Sequence, residues 1–115
     1  MERKQLDKLL MTVGLAAKAR RIVTGTDRVC ESLRDSKNAA VLVIEARDTS
    51  DNTHKKLTDK CKYYGVRLVR IDADTTELGR AVGKTSATAA VGITDGGIAR
   101  AICAKLEEAS DEPNT

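Results

Sequence analysis

Apolar residues at Leu6, Leu9, Leu10, Val13, Leu15, Ala16 and Ala17 recur at helical spacing, which predicts a first helix ending in the basic run Lys18-Ala19-Arg20-Arg21. Arg21 to Gly25 then predicts a short strand stopped by glycine. Thr26 suits an N-cap and Asp27 the first turn of a helix reaching about Ser36. Ala39 to Ile44 is an unbroken apolar run rich in β-branched residues, as expected of a central strand covered on both faces. Helical spacing returns from Asn52 to Tyr64, with Leu57, Cys61 and Tyr64 on one face and Gly65 placed as a C-cap. A strand over Arg67 to Ile71 follows. Thr75 to Gly83 predicts a short helix with threonine at its front and glycine at its rear, and Lys84 to Ala87 a loop. Thr88 to Thr94 reads as the last strand, Asp95-Gly96-Gly97 as a turn, and Ile98 to Leu106 as a final helix.

One helix followed by four strand–helix pairs implies an α/β fold, a three-layer α/β/α sandwich around a four-stranded mixed sheet. Crossovers of this kind favour parallel neighbours, with one edge strand free to run the other way. At 115 residues the chain has enough length for one core and not for two. Residues 1–106 therefore form one domain, and 107–115, with their acidic residues and Pro113, are expected to be a mobile tail.

Composition narrows the function classes. Apolar residues at 41% and charged residues at 32% fit a globular protein and not a disordered one. The longest apolar stretch, Ala39 to Ile44, falls far short of the roughly 20 residues that span a bilayer. The N-terminus, Met1-Glu2-Arg3-Lys4-Gln5-Leu6-Asp7, lacks the apolar region and cleavage site of a secretion signal. A cytoplasmic protein with no membrane partner is the expectation. Cys30, Cys61 and Cys103 form no CxxC pair, and the only histidine, His54, has no partner with zinc-site spacing, so buried thiols are expected. Removing Glu107, Glu108, Asp111 and Glu112 from the count leaves 20 basic against 13 acidic side chains, so the body carries +7 where the whole chain carries +3. A body this basic attracts phosphate backbones at long range, although such a charge is also common in proteins that bind no nucleic acid. With two tyrosines and no Phe or Trp, recognition by stacking bases on aromatic rings is disfavoured, which leaves backbone charge, shape and base-edge contacts.

Reactive chemistry finds little support. Gly79-Arg80-Ala81-Val82-Gly83-Lys84-Thr85 approaches a phosphate-binding loop, but that loop needs four residues between its glycines and this segment has three. It also lies within a helix where the loop should follow a strand. His54 sits in the polar stretch Asp51-Asn52-Thr53-His54-Lys55-Lys56, where a solvated helix face is expected in preference to a catalytic base. No catalytic residue, metal ligand or cofactor is expected, and the chain does not read as an enzyme.

The segment Gly14-Leu15-Ala16-Ala17-Lys18-Ala19-Arg20-Arg21-Ile22-Val23-Thr24-Gly25-Thr26-Asp27, followed later by Leu78-Gly79-Arg80-Ala81-Val82-Gly83, resembles the ribosomal L-seven-Ae/L-thirty-e superfamily. The resemblance covers roughly Leu9 to Leu106. It is closest to the bacterial branch called YlxQ-like, which is similar at Asn52-Thr53, Lys55-Lys56, Asp59-Lys60-Cys61, Tyr63-Tyr64 and the Thr94-Asp95 turn. It implies the three-layer fold and binding of kink-turns, in which an RNA duplex bends sharply beside tandem sheared G·A pairs. It also implies that RNA contacts come from the start of the second helix and the loop before the last strand. The family's motif at the helix start is Gly-Thr-Asn-Glu and then, after two residues, Lys. Here Gly25 and Thr26 match, whereas Asp27, Arg28 and Glu31 stand for the Asn, Glu and Lys. Ionised Asp27 only accepts hydrogen bonds and repels phosphate, and Glu31 replaces a cation. Arg28 can donate two hydrogen bonds to a guanine edge, worth roughly 1–3 kcal/mol of discrimination. Lys84-Thr85-Ser86-Ala87 corresponds to the second RNA-facing loop.

The residues alone point to the same place. A glycine before a helix start leaves backbone N–H groups available to a phosphate, and Lys18, Arg20 and Arg21 precede it closely. A plain strand-to-helix turn is the competing reading. The expected site is thus Arg20, Arg21, Gly25, Thr26, Asp27, Arg28, Glu31, Lys84, Thr85, Ser86 and Ala87, on a monomer. Its expected partner is structured RNA, kink-turn-like or ribosomal, with the ribosome as a possible setting. The alternative is a ribosome-associated or protein-interaction adaptor of the same fold, because the polar motif differs at three positions.

Overall fold

The computed structural model describes residues 1–110, the side chains of 108–110 excepted. Five helices and four strands alternate: α1 Arg3–Lys18, β1 Ile22–Thr24, α2 Thr26–Leu33, β2 Leu42–Glu45, α3 Asp51–Tyr64, β3 Arg67–Arg70, α4 Thr75–Ala81, β4 Ala90–Ile93 and α5 Gly96–Ser110. The strands form one sheet in the order β1-β4-β2-β3. The expected tail 107–115 begins within α5, and residues 111–115 lie outside the described residues.

The apolar pattern sorts the helices to the two faces of the sheet. Leu6, Leu9, Val13 and Ala16 of α1, Leu78 of α4 and Ile102 of α5 pack with Leu42, Ile44, Val91 and Ile93 on one face. Val29 and Leu33 of α2 and Leu57 and Cys61 of α3 pack with Val43 and Ala90 on the other. Every residue of β2 and of β4 is buried, as a strand covered on both faces requires. Leu15, counted above with the apolar face of α1, is 59% exposed, and so is its neighbour Met11 at 71%.

Strand direction departs from expectation. Only β2 and β3 run parallel; β4 is antiparallel to both β2 and β1, and it sits inside the sheet. The cause lies in the segment before it. α4 is seven residues long, about 10 Å. The chain then folds back along it, with the Lys84 N–H donating to the Gly79 carbonyl and the Thr88 N–H to the Thr75 carbonyl. The strand therefore starts at the end of the sheet where α4 started.

Four helix ends also differ. α2 begins at Thr26, with Gly25 and not Thr26 at the cap position. It stops at Leu33, three residues early, because the Asp35 carboxylate accepts the Lys37 and Asn38 N–H groups and turns the chain. Asp74 caps α4 by accepting the Glu77 N–H, one residue before the expected threonine. The expected turn at Gly96-Gly97 is already helix, because Asp95 accepts the Ile98 N–H. Gly65 ends α3 in the left-handed conformation, as its position implied.

Candidate nucleic-acid interface

β1 ends at Thr24, and the Gly25 N–H still bonds the Ala90 carbonyl across the sheet at 2.9 Å. The helix must then begin at once. Gly25 makes this turn at φ 95°, a region that costs an L-residue of order 1 kcal/mol or more. No side chain caps α2. The Gly25 carbonyl accepts the Val29 N–H, which leaves the amides of the first turn to face outward at a half-buried corner. Asp27 and Arg28 on that turn are exposed.

The bond from Gly25 to Ala90 ties the start of α2 to the first residue of β4, three residues after the 84–87 loop. All four residues of that loop are exposed. The loop lies against α4 at Gly79, where a Cβ would sit 2.3 Å from the Ser86 carbonyl oxygen. A side chain at this position would force the loop or the helix to shift. The glycine that first suggested a phosphate-binding loop is a packing contact inside a helix.

Arg20 and Arg21 lie elsewhere. They close α1 with paired bonds from the Arg20 N–H to the Ala17 carbonyl and from the Arg21 N–H to the Ala16 carbonyl. In this motif the residue at Arg20 takes a left-handed conformation, and Arg20 does so at φ 59°. Three strand residues, roughly 10 Å, separate this end of β1 from Gly25. α2 runs back along the strand, so Arg20 and Arg21 share a groove of about 480 Å³ with Arg28, Glu31, Asp35 and Thr94. The expected residues thus fall into two groups, a corner of Gly25, Thr26 and Asp27 with the 84–87 loop, and a flank of Arg20, Arg21, Arg28 and Glu31.

Sequence reasoning missed the partner of Asp27. Lys56 on α3 donates to the Asp27 carboxylate at 2.8 Å. This hydrogen bond and the adjacent charge hold the Asp27 carboxyl below the usual carboxylate range and raise the Lys56 ammonium. A smaller groove of about 250 Å³ lies there between α2 and α3, lined by Asp27, Cys30, Glu31, Arg34, Lys56 and Lys60. The only advance sign was the helical spacing that puts Lys56 and Lys60 on one face.

Carboxylates bound the interface on the β3 side. Asp48 accepts the Thr75 N–H, Asp74 caps α4, and Arg47 pairs with Asp72 at 3.1 Å. Beneath this edge Glu45 is fully buried, and both its carboxylate oxygens face His54 Nδ1, at 2.8 and 3.0 Å, with the Thr49 hydroxyl donating as well. His54 is therefore not on a merely solvated face. Its role is to satisfy a buried carboxylate. Among the described residues no hydroxyl or thiol hydrogen-bonds its other ring nitrogen, no group of His, Cys, Asp or Glu is arranged to hold a metal ion, and no helix is long and apolar enough to cross a membrane. Cys30 and Cys61 are buried and Cys103 half-buried.

Known proteins are similar to this chain in sequence and in fold. The chain is 40% identical over 95 residues to the RNA-binding protein YlxQ of Bacillus subtilis, covering 83% of this chain and 91% of that protein. It is 33% identical over 93 residues to the RNA-binding protein YlxQ of Enterococcus faecium, covering 81% and 85%. Among solved structures, a Bacillus halodurans protein of unknown function superposes with a TM-score of 0.78 at 34% identity, covering 87% of this chain and 97% of that one. The Giardia lamblia 15.5kD RNA binding protein gives 0.74 at 23% identity, covering 94% and 89%, a likeness of fold. Residues 7–102, from the first turns of α1 to the middle of α5, match a single family description. With its sheet order, glycine corner and folded-back loop accounted for, the chain belongs to the ribosomal protein L7Ae/L30e/S12e/Gadd45 family.

Proposed function

We propose that this chain is a non-catalytic RNA-binding protein that recognises kink-turn-like bends in structured RNA, ribosomal RNA among them. The observation that carries the reading is the corner at Gly25. There the uncapped first turn of α2 is tied through Gly25 to Ala90, the first residue of β4 and three residues after the exposed 84–87 loop, so two separate segments present polar groups to one partner. A sharply bent phosphate strand suits outward amides at a helix start. Arg28 supplies the base-edge contact, and Lys84 together with the flanking Arg20 and Arg21 supplies phosphate contacts. Asp27 is tolerated because Lys56 neutralises it. The names of the two bacterial relatives support an RNA partner.

Gel-shift titration against a kink-turn duplex, and against the same duplex with its G·A pairs replaced by Watson–Crick pairs, tests the reading. The bent element binds more tightly; equal affinities overturn shape-specific recognition. Arg28→Ala reduces the discrimination by roughly 1–3 kcal/mol, whereas Arg21→Ala weakens both RNAs alike.

A second reading, an adaptor that binds protein, is favoured by one feature. A groove of about 820 Å³ between α1 and α4 exposes Met11 and Leu15 beside Gly14, Ala81 and Val82. Partners that survive ribonuclease treatment and are lost on Leu15→Asp support that reading.

A further inference from the structure

The cations of the groove between α2 and α3 have been given no contact with RNA so far. Its rim carries Arg34 near the end of α2 and, one helical turn apart on α3, Lys56 and Lys60. All three are exposed. Among the described residues Lys60 has no carboxylate within ion-pair distance, and Lys56 meets only Asp27, which leaves two of its ammonium hydrogens unassigned. An exposed pair of this kind contributes little to stability, so holding the fold together does not account for these side chains. The groove floor is Cys30, a thiol that burial pushes up despite both lysines nearby, and so it remains an uncharged wall.

Glu31 lies on the ridge of α2 and lines the grooves on both of its sides. Around it, the two grooves together carry six cations, Arg20, Arg21, Arg28, Arg34, Lys56 and Lys60, against three carboxylates, Asp27, Glu31 and Asp35. The positive charge absent from the ridge is thus present along both flanks. α2 is a single helix wide, about 10–12 Å with its side chains, so a backbone strand can pass on either side of it.

We propose that Lys56 and Lys60, with Arg34, form a second track for an RNA phosphate backbone, on the side of α2 opposite Arg20 and Arg21. This rests on the reading of the chain as an RNA-binding protein and names α3 as part of that surface. α2 then sits as a ridge between two strands of one structured RNA. Lys56 has two roles, cancelling the Asp27 charge and offering its remaining donors to phosphate. The track carries no base readout, because its groups are flexible point charges.

The test measures the binding of a synthetic kink-turn duplex, and of its fully Watson–Crick counterpart, over a range of salt. The proteins are the wild type, Lys60→Gln, Lys56→Gln/Lys60→Gln, Asp27→Asn and Asp27→Asn/Lys56→Gln, each checked for an unchanged unfolding midpoint. Each lysine removed lowers the slope of log affinity against log salt by about one unit. That slope corresponds to roughly a tenfold loss at 0.1 M salt, which closes as salt approaches 1 M. Both RNAs are affected equally. In the Asp27→Asn background the change at Lys56 still weakens binding; no effect there makes Lys56 a partner of Asp27 alone and removes it from the track. Wild-type binding with unchanged slopes in Lys60→Gln and the double lysine variant overturns the track and leaves the RNA-binding reading standing. A wild type that binds neither RNA overturns both.

Discussion

At the scale of single residues, the feature with most consequence is the left-handed Arg20. Left-handed backbone costs an L-residue roughly 1–2 kcal/mol, and glycine is the usual occupant of this place after a helix. Arg20→Gly relieves that cost and gives back part of it through the larger entropy of an unfolded glycine. The net expectation is a gain of about 0.5–1 kcal/mol in urea unfolding, with weaker RNA binding and a shallower salt dependence. A variant that is both less stable and fully active shows that the arginine is kept for the fold. The sequence disclosed Gly25 as a turn residue, since a glycine between a strand and a helix has few other uses. It could not disclose the Asp27–Lys56 pair. The partners are 29 positions apart, and their meeting depends on how α2 packs on α3. His54 was misjudged for the same reason, because the buried Glu45 that faces it lies on a different element.

At the scale of elements, periodicity located all five helices and all four strands of the described residues, and three of the four helix ends it missed were set by side chains bonding to backbone. Asp35 and Asp74 each took a turn or cap that apolar spacing does not register. Strand direction was the larger miss. Spacing says where a strand lies and not which way it runs, and the reversal of β4 depends on the fold-back against Gly79. That contact yields a prediction. A methyl at residue 79 would press on a backbone carbonyl, an overpacking cost of about 1–3 kcal/mol, set against nearly 1 kcal/mol gained in helix propensity. Gly79→Ala is therefore expected to lose up to about 2 kcal/mol in denaturant unfolding and to shift the amide resonances of residues 84–88. Because the loop forms one half of the proposed corner, discrimination between bent and straight RNA should fall with it. Unchanged amide resonances in the loop show that α4 absorbs the methyl without moving it.

At the scale of the whole molecule, the fold gathers charges that lie far apart in the sequence. Arg34, Lys56 and Lys60 meet at the groove between α2 and α3, while Asp48, Asp72 and Asp74 collect where β3 feeds α4. The net charge of the chain hides this clustering, which is why composition suggested a polyanion without locating it. The layer of α2 and α3 also carries the fold's clearest dependence on pH. Cys61, buried between α3 and the sheet, has its thiol pushed by burial from 9.0 to about 11. The unfolded chain ionises this thiol near its ordinary value and the folded chain does not, so the folded state holds its proton more tightly. The contribution is fully present below pH 9 and is lost as pH rises from 9 towards 11, at most about 2–3 kcal/mol. Lysines titrate in the same range, so the thiol is isolated by comparison with Cys61→Ala. That variant is less stable at pH 7 through the small cavity it leaves, but its stability falls less steeply above pH 9. Equal slopes for the two proteins between pH 9 and 11 would mean that the thiol ionises alike in both states. That outcome would require water to reach the interface of α3 with the sheet, against which the proposed second phosphate track is held.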